Sequence, residues 1–140
     1  MKSGNNLSAR ANKPFVVNEI QKLLQKGCIW ETPLEPLIEN PSTMAYNKNG
    51  KARLVLDCRH INHHLMKFKF KYEGVSVAKQ MFDTGDFLFT FDLKFTYYHI
   101  EIFEENRKYL GFTWNNGERE TFYEFRVLPF RLATAPFYFY

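Results

Sequence analysis

The sequence predicts a mixed α+β domain with a sheet that is rich in antiparallel strands. Two observations lead to this class: helical and strand-like patterns alternate along the chain, and two Asn-Gly pairs mark hairpin turns between strand-like runs. The chain has 140 residues, of which 45% are hydrophobic and 24% are charged. This composition is that of one globular domain or part of one, and it argues against a disordered chain.

The N-terminal elements follow from local composition. Residues 1–13 are polar and rich in Gly, Asn and Ser, which indicates a flexible lead-in before a domain over residues 14–140. Residues 14–26 carry apolar side chains at helical spacing between a Pro and Gly27, which predicts an amphipathic helix. Three Pro residues within 31–41 indicate an extended connection.

A β-hairpin is predicted around the pair Asn49-Gly50. Residues 43–48 and 51–56 form its two arms, and the pair tolerates the positive φ angles of a type I′ turn. The Cys, Arg, His and Asn residues that follow the second arm should form a turn or a short helix.

The middle of the chain contains three further patterns. Lys and Phe alternate over 67–71, which would give one cationic and one aromatic face if the segment is extended. Residues 75–82 read as a second helix. Residues 87–91 are apolar on both faces, which is typical of a strand inside a sheet, and Asp92 follows directly.

The C-terminal part reads as strands and a final helix. Strands are predicted over 98–103, 110–114 and 121–127, with Asn115-Asn116-Gly117 as a hairpin turn and a helix from Leu132. Aromatic residues make up 18% of the chain, and its last four residues are all aromatic. Because termini are usually polar, we expect the chain to stop inside a helix or strand.

Charge is divided unevenly along the chain. Residues 1–75 carry twelve Lys and Arg against six Asp and Glu, a net charge of +6, and residues 76–140 carry seven against nine, a net charge of −2. A basic half beside an acidic half suits a polyanion-binding surface next to a carboxylate site, although a solvated face gives similar counts. The two cysteines and the absence of a long apolar run predict a reduced, intracellular protein without a membrane span.

Several side chains could carry chemistry. Asp92, at the end of an apolar strand, could hold a divalent cation or simply cap the strand. The hairpin cations Lys48, Lys51 and Arg53 could converge on a phosphate group or lie on a solvated turn. A surface for single-stranded nucleic acid would combine cations and aromatic rings, namely Arg59, Lys67, Lys69, Lys71, Phe68, Phe70 and Tyr72, some of which could be core residues.

Other types of site are disfavoured. A zinc site is disfavoured because its candidate ligands fall within seven residues, which is too short a span for the chain to wrap an ion. These candidates are Cys58, His60, His63 and His64. The glycine-rich phosphate loops, the Ser elbow of hydrolases and the HExxH zinc motif do not occur in the sequence.

Three segments carry recognisable motifs in order. Residues 49–62 read NGKARLVLDCRHIN, residues 90–100 read TFDLKFTYYHI, and residues 123–136 read YEFRVLPFRLATAP. In this order and at this spacing they resemble the reverse transcriptases, or RNA-directed DNA polymerases, of LTR, DIRS and gypsy-type retrotransposons. The resemblance covers about residues 15–139. It implies a partial right-hand polymerase fold consisting of the fingers and the start of the palm.

The resemblance also implies roles for individual residues. Asp92 would be the catalytic ligand of Mg²⁺, the family's cofactor. The incoming deoxynucleoside triphosphate would be contacted by Lys51, Arg53, Tyr97, Phe130 and Arg131. Among these, Tyr97 would be the gate beneath its sugar. The fingers and the template strand would be braced by Asp57, Arg59 and Asn62. The implied partners are an RNA or DNA template-primer and deoxynucleoside triphosphates, and none of these roles involves a membrane.

The chain departs from the family pattern at three places. Phe95-Thr96 stands where the family has Ser-Gly, and Arg131 stands where it has Gly. The Tyr-x-Asp-Asp motif that would supply further carboxylates is absent from the sequence. We therefore expect no polymerase activity from these 140 residues alone. Two alternatives stay open: a non-catalytic module that binds single-stranded nucleic acid, and a decayed remnant of a retroelement.

Overall fold

Two antiparallel sheets organise the chain in the computed structural model, which describes residues 4–69, 71, 73–90, 92–94 and 96–136. The fold class is mixed α+β, as the sequence predicts. The described helices are α1 (Leu7–Arg10), α2 (Lys13–Gln25), α3 (Arg59–Asn62) and α4 (Val75–Lys79). The described strands are β1 (Ile29–Thr32), β2 (Ser42–Tyr46), β3 (Ala52–Leu56), β4 (Gly111–Asn115) and β5 (Glu120–Phe125). Two 3₁₀ helices cover Thr96–His99 and Glu104–Tyr109.

The larger sheet has the strand order β1-β5-β4 and carries the centre of the core. Phe112 of β4 is 1% exposed and stacks on Tyr123, its partner in β5, with ring centroids 5.1 Å apart. Helix α2 contributes buried Val16 and Ile20 to the same cluster. Burial of these rings and branched side chains removes apolar surface from water, which is the main favourable term in folding.

Local signals predicted the helix and the two hairpins well. Helix α2 lies within one residue of its predicted bounds and ends before Gly27, whose φ of +67° suits glycine. The β4–β5 hairpin is confirmed, and its turn is held by side-chain oxygens of Asn115 and Asn116 that accept backbone N–H groups. Strand β1 was missed because its partner β5 lies more than 90 residues away and no turn signal joins them.

The β2–β3 hairpin is confirmed, but its predicted type I′ turn is wrong. Asn47 N–H donates to the carbonyl of Lys51, so the loop is residues 48–50, and Gly50 N–H donates to the carbonyl of Asn47. Only Gly50 in this loop has a positive φ, at +74°. The arrangement is that of a type I turn followed by a left-handed glycine, the usual three-residue hairpin loop.

Residues near the N-terminus pack on the fold, in contrast to the flexible lead-in that their composition predicts. Asn5 accepts a hydrogen bond from Ser42 N–H (2.9 Å) and donates to the carbonyl of Thr113 (2.8 Å). In helix α1, Ala9 is fully buried. The polar Asn and Ser residues therefore join the two sheets, because their short side chains reach backbone groups of neighbouring strands.

Two strand predictions for the middle of the chain are wrong within the described residues, and the helix prediction is confirmed with a shorter span. Residues 87–90 form no strand, residues 67–69 have no regular structure, and helix α4 covers Val75–Lys79 of the predicted 75–82 and buries no side chain. Residues 98–103 form part of a 3₁₀ helix and a single bridge between Glu101 and Val127, not a strand. The segment 87–90 has no described partner strand, and Phe87 is fully exposed. Apolar content alone cannot make a strand, because a strand requires a neighbour for its backbone groups.

The C-terminal helix predicted from Leu132 begins later, since residues 132–134 form no helix and residues 135 and 136 are helical. The rest of that prediction falls mostly on 137–140, outside the described residues. No helix in the described part of the chain is long and apolar enough to cross a membrane.

Candidate functional site

The β2–β3 hairpin presents the first two candidate residues to solvent. Lys51 follows the turn and its backbone N–H donates to Asn47 Oδ1 at 2.7 Å, which fixes the loop from within. Arg53 lies in β3 opposite Ala45. Both side chains are exposed, and neither pairs with a carboxylate among the described residues. A rigid hairpin therefore carries two cations that are available to an anionic ligand.

Asp57 and Arg59 form a tight ion pair at the start of α3. Arg59 Nη2 lies 2.6 Å from Asp57 Oδ2, and Nε donates to both carboxylate oxygens at 2.9 and 3.1 Å. Asn6 adds a longer contact of 3.4 Å. These hydrogen bonds, led by those from Arg59, lower the pKa of Asp57 to about 2, although burial opposes the shift. Asp57 is thus a structural anion that holds Arg59 at the start of α3.

Asn62 joins helix α3 to a loop about 70 residues later in the chain. Its Nδ2 donates to the carbonyl of Arg131 at 2.9 Å, and its Oδ1 accepts the N–H of Ala133 at 2.8 Å. Between these two bonds, Arg131 has φ = +72°, the only positive φ of a non-glycine residue in the described part of the chain. The position where the related motif has Gly therefore takes a conformation that favours glycine.

Three aromatic rings meet next to this loop. Phe130 lies edge-on to Tyr97, with centroids 5.5 Å apart, and edge-on to Tyr98, with centroids 5.2 Å apart. All three are half-buried, and both tyrosines pack on the core. This aromatic cluster, Tyr97, Tyr98 and Phe130, brings the second motif segment into contact with the third.

Tyr98 is a residue that sequence reasoning missed. Burial raises its pKa, the charges of Cys28 and Glu19 act in the same direction, and Arg53 opposes them. Tyr98 therefore stays protonated and belongs to the partly buried apolar packing around the core. The neighbouring Tyr97 could be found through its motif, whereas Tyr98 had no signal beyond its aromatic character.

Asp92, the predicted metal ligand, lies apart from these contacts. It is exposed and belongs to neither a helix nor a strand. The turn that follows is held by a hydrogen bond from Thr96 to the carbonyl of Leu93 (2.6 Å). The described residues contain no group of three or more His, Cys, Asp or Glu side chains that could hold a metal. The described residues by themselves therefore do not form a complete Mg²⁺ site.

The remaining sequence candidates contribute little to this arrangement. Cys58 is fully buried, and burial raises its pKa to about 12, so its thiol is directed to the core and not to solvent. Lys67 and Lys69 are exposed on a segment without regular structure. Phe70, Tyr72 and Phe95 lie outside the described residues.

Curated relatives of the chain come from retroelements and a virus. The chain is 30% identical over 127 residues to the "Retrovirus-related Pol polyprotein from transposon gypsy" of Drosophila melanogaster, a match over 86% of the chain and 12% of the relative. It is 29% identical to a "Putative enzymatic polyprotein" of Cassava vein mosaic virus, over 84% of the chain and 18% of the relative. It is also 29% identical to the "Retrovirus-related Pol polyprotein from transposon 412" of Drosophila melanogaster, over 84% of the chain and 10% of the relative.

Each of these matches covers more than four fifths of the chain. No protein-family model matches it. The chain spans less than a fifth of the length of each of these relatives. Over most of its length, the chain is therefore similar to a short segment of retroelement Pol polyproteins.

Proposed function

We propose that the chain is the fingers and the beginning of the palm of a reverse transcriptase domain. In this role it binds a template-primer and a deoxynucleoside triphosphate for template-directed nucleotidyl transfer. The observation that carries the proposal is the meeting of the three motif segments: Asn62 bonds to Arg131 and Ala133, and Phe130 contacts Tyr97. Segments that form one binding surface must converge in this way, although each is far from the others in sequence.

The chemistry of the surface is consistent with the proposal. Phosphoryl transfer depends on charge neutralisation and positioning more than on a covalent nucleophile. Exposed guanidinium and ammonium groups at Lys51, Arg53 and Arg131 supply positive charge. The aromatic cluster, in which Phe130 directly precedes Arg131, supplies ring edges and faces against which a sugar or base can pack. Cations and aromatic rings together suit a nucleotide, because it combines a charged phosphate with a planar base.

We expect the chain alone to bind its ligands without extending a primer. Asp92 is a single exposed carboxylate, and two-metal nucleotidyl transfer needs further carboxylates that its described surroundings do not provide. Incubation of the purified chain with an RNA template, a DNA primer, deoxynucleotides and Mg²⁺ should leave the primer unextended. Any primer extension above a no-protein control would contradict this expectation.

Binding is tested by titrating the chain into a fluorescein-labelled DNA primer annealed to an RNA template with a single-stranded overhang. Fluorescence anisotropy should show saturable binding that weakens as salt rises, because cations on the protein release counterions from the phosphates. Arg53→Ala should lower the affinity and reduce the slope of log K against log salt by about one. The matched control is Lys79→Ala, which removes an exposed cation from α4 and should leave the slope unchanged.

Two outcomes would contradict the proposal. One is an absence of binding at low salt. The other is equal affinity for the template-primer and for an unpaired oligonucleotide of the same length, with equal effects of Arg53→Ala on both. That second result would favour the simpler module that binds single-stranded nucleic acid.

A further inference from the structure

The loop over residues 130–134 has a backbone conformation that its own sequence does not favour. Arg131 has φ = +72°, a region that L side chains enter with strain. The loop has no regular structure that would fix this conformation. Arg131 also has a Cβ atom, so it lacks the freedom with which glycine adopts a positive φ. An external restraint must therefore stabilise the turn.

Asn62 provides that restraint through both ends of its amide group. The bonds to the carbonyl of Arg131 and to the N–H of Ala133 flank the strained residue on either side. Asn62 is itself fixed, because its backbone N–H donates to the carbonyl of Cys58 at 2.9 Å within α3. Helix α3 begins at the ion pair of Asp57 and Arg59, so the restraint is anchored to the smaller sheet.

The restrained loop carries two groups of the proposed binding surface. Phe130 precedes the strained residue and contacts both tyrosines of the aromatic cluster. The side chain of Arg131 is exposed, and it pairs with no carboxylate among the described residues. Fixing the backbone at Arg131 therefore fixes a ring on the inner side of the loop and a cation on its solvent side.

We propose that Asn62 is a positioning residue that holds Arg131 in place as an additional phosphate contact. The proposal rests on the proposed function, since the phosphate belongs to the template-primer. It differs from the roles that the resemblance implies, because there Arg131 contacts the incoming triphosphate, whereas here Asn62 holds Arg131 against a phosphate of the template-primer. Asn62 acts on the ligand only through the loop, whereas the guanidinium of Arg131 touches the phosphate.

The experiment is a double-mutant cycle of Asn62→Ala and Arg131→Ala, read as template-primer affinity over a range of salt concentrations. Arg131→Ala should reduce the salt slope by about one and weaken binding. Asn62→Ala should weaken binding by a similar factor when Arg131 is present, and should have little further effect in the Arg131→Ala chain. Equal losses from Asn62→Ala in both backgrounds would show a merely structural role and overturn the proposal.

A second measurement separates this proposal from the proposed function. Hydrogen exchange of the Ala133 amide should accelerate at least about tenfold in Asn62→Ala and stay unchanged in Arg131→Ala, whether or not nucleic acid binds. If the parent chain does not bind the template-primer but the exchange behaves as expected, the proposed function fails and the loop restraint stands. An unchanged exchange rate in Asn62→Ala, or an unchanged salt slope in Arg131→Ala, overturns the inference itself.

Discussion

At Arg131, a large cationic side chain occupies a backbone conformation that suits glycine. The left-handed region costs a residue with a Cβ atom roughly 1–2 kcal/mol. Asn62 offsets part of that cost with its two hydrogen bonds. If Arg131 contacts phosphate as we propose, folding stability favours glycine at this position and ligand binding favours arginine.

Replacing this residue with glycine should raise stability. Arg131→Gly is expected to increase the free energy of unfolding by about 1 kcal/mol, because the strain at φ = +72° disappears. Urea denaturation followed by circular dichroism measures the change. The matched variant Arg131→Ala keeps the strain and removes the charge, so it should leave the stability within about 0.5 kcal/mol of the parent. A glycine variant no more stable than the alanine variant would contradict this explanation.

Asp57 should make stability depend on acid pH. Its pKa is lowered from an ordinary value of 3.8 to about 2 in the folded chain. A lowered pKa stabilises the fold above pH 3.8, and this contribution is lost as the pH falls toward 2. Arg59 extends into solvent, which screens the ion pair. We therefore expect the lowered pKa of Asp57 to contribute only about 1–2 kcal/mol to the free energy of unfolding at neutral pH.

The test compares Asp57→Asn with the parent at several pH values. The variant should be less stable at pH 7, and the difference should shrink between pH 4 and pH 2. Asp83→Asn, on an exposed segment, is the matched control and should follow the parent at every pH. If the free energies of unfolding of Asp57→Asn and the parent differed by the same amount from pH 7 to pH 2, the proposed link between the pKa of Asp57 and stability would be refuted.

At the scale of elements, predictions succeeded where the signal was local. Helix α2 and the hairpins β2–β3 and β4–β5 have their periodicity, caps and turn residues within a few positions of one another. Elements that depend on distant partners could not be predicted. Strand β1 needs β5, and the apolar run at 87–90 looked like a buried strand but lacks a described partner.

The approach of two elements at Gly111 gives a sharp test of the packing. A Cβ atom at this first residue of β4 would overlap the ring of Pro36 and lie 3.1 Å from the carbonyl of Ile38. Gly111→Ala should therefore lower the free energy of unfolding by about 1–3 kcal/mol. Gly74→Ala is the control, because the nearest atom to its added Cβ is Ser76 Oγ at 3.8 Å. Equal stability of the two variants in urea would contradict the packing described here.

At the scale of the whole molecule, the motif residues were predictable but their contacts were not. Lys51, Arg53 and Asn62 could be named from their segment, yet nothing in the sequence showed that Asn62 bonds to a loop 70 residues away. The interaction depends on a side-chain amide that meets two backbone groups in space. Asp92 illustrates the opposite case, since its motif is recognisable but its predicted strand and metal site are not formed by the described residues.

The central claim is that the three motif segments form one surface for a template-primer. Hydrogen–deuterium exchange of the chain, with and without the RNA–DNA template-primer, tests it most directly. We predict slower exchange on binding in peptides that cover residues 51–62, 97–100 and 130–134, and no change in β1 or β4. Protection confined to one of these segments, or protection of β1 and β4 instead, would contradict the claim.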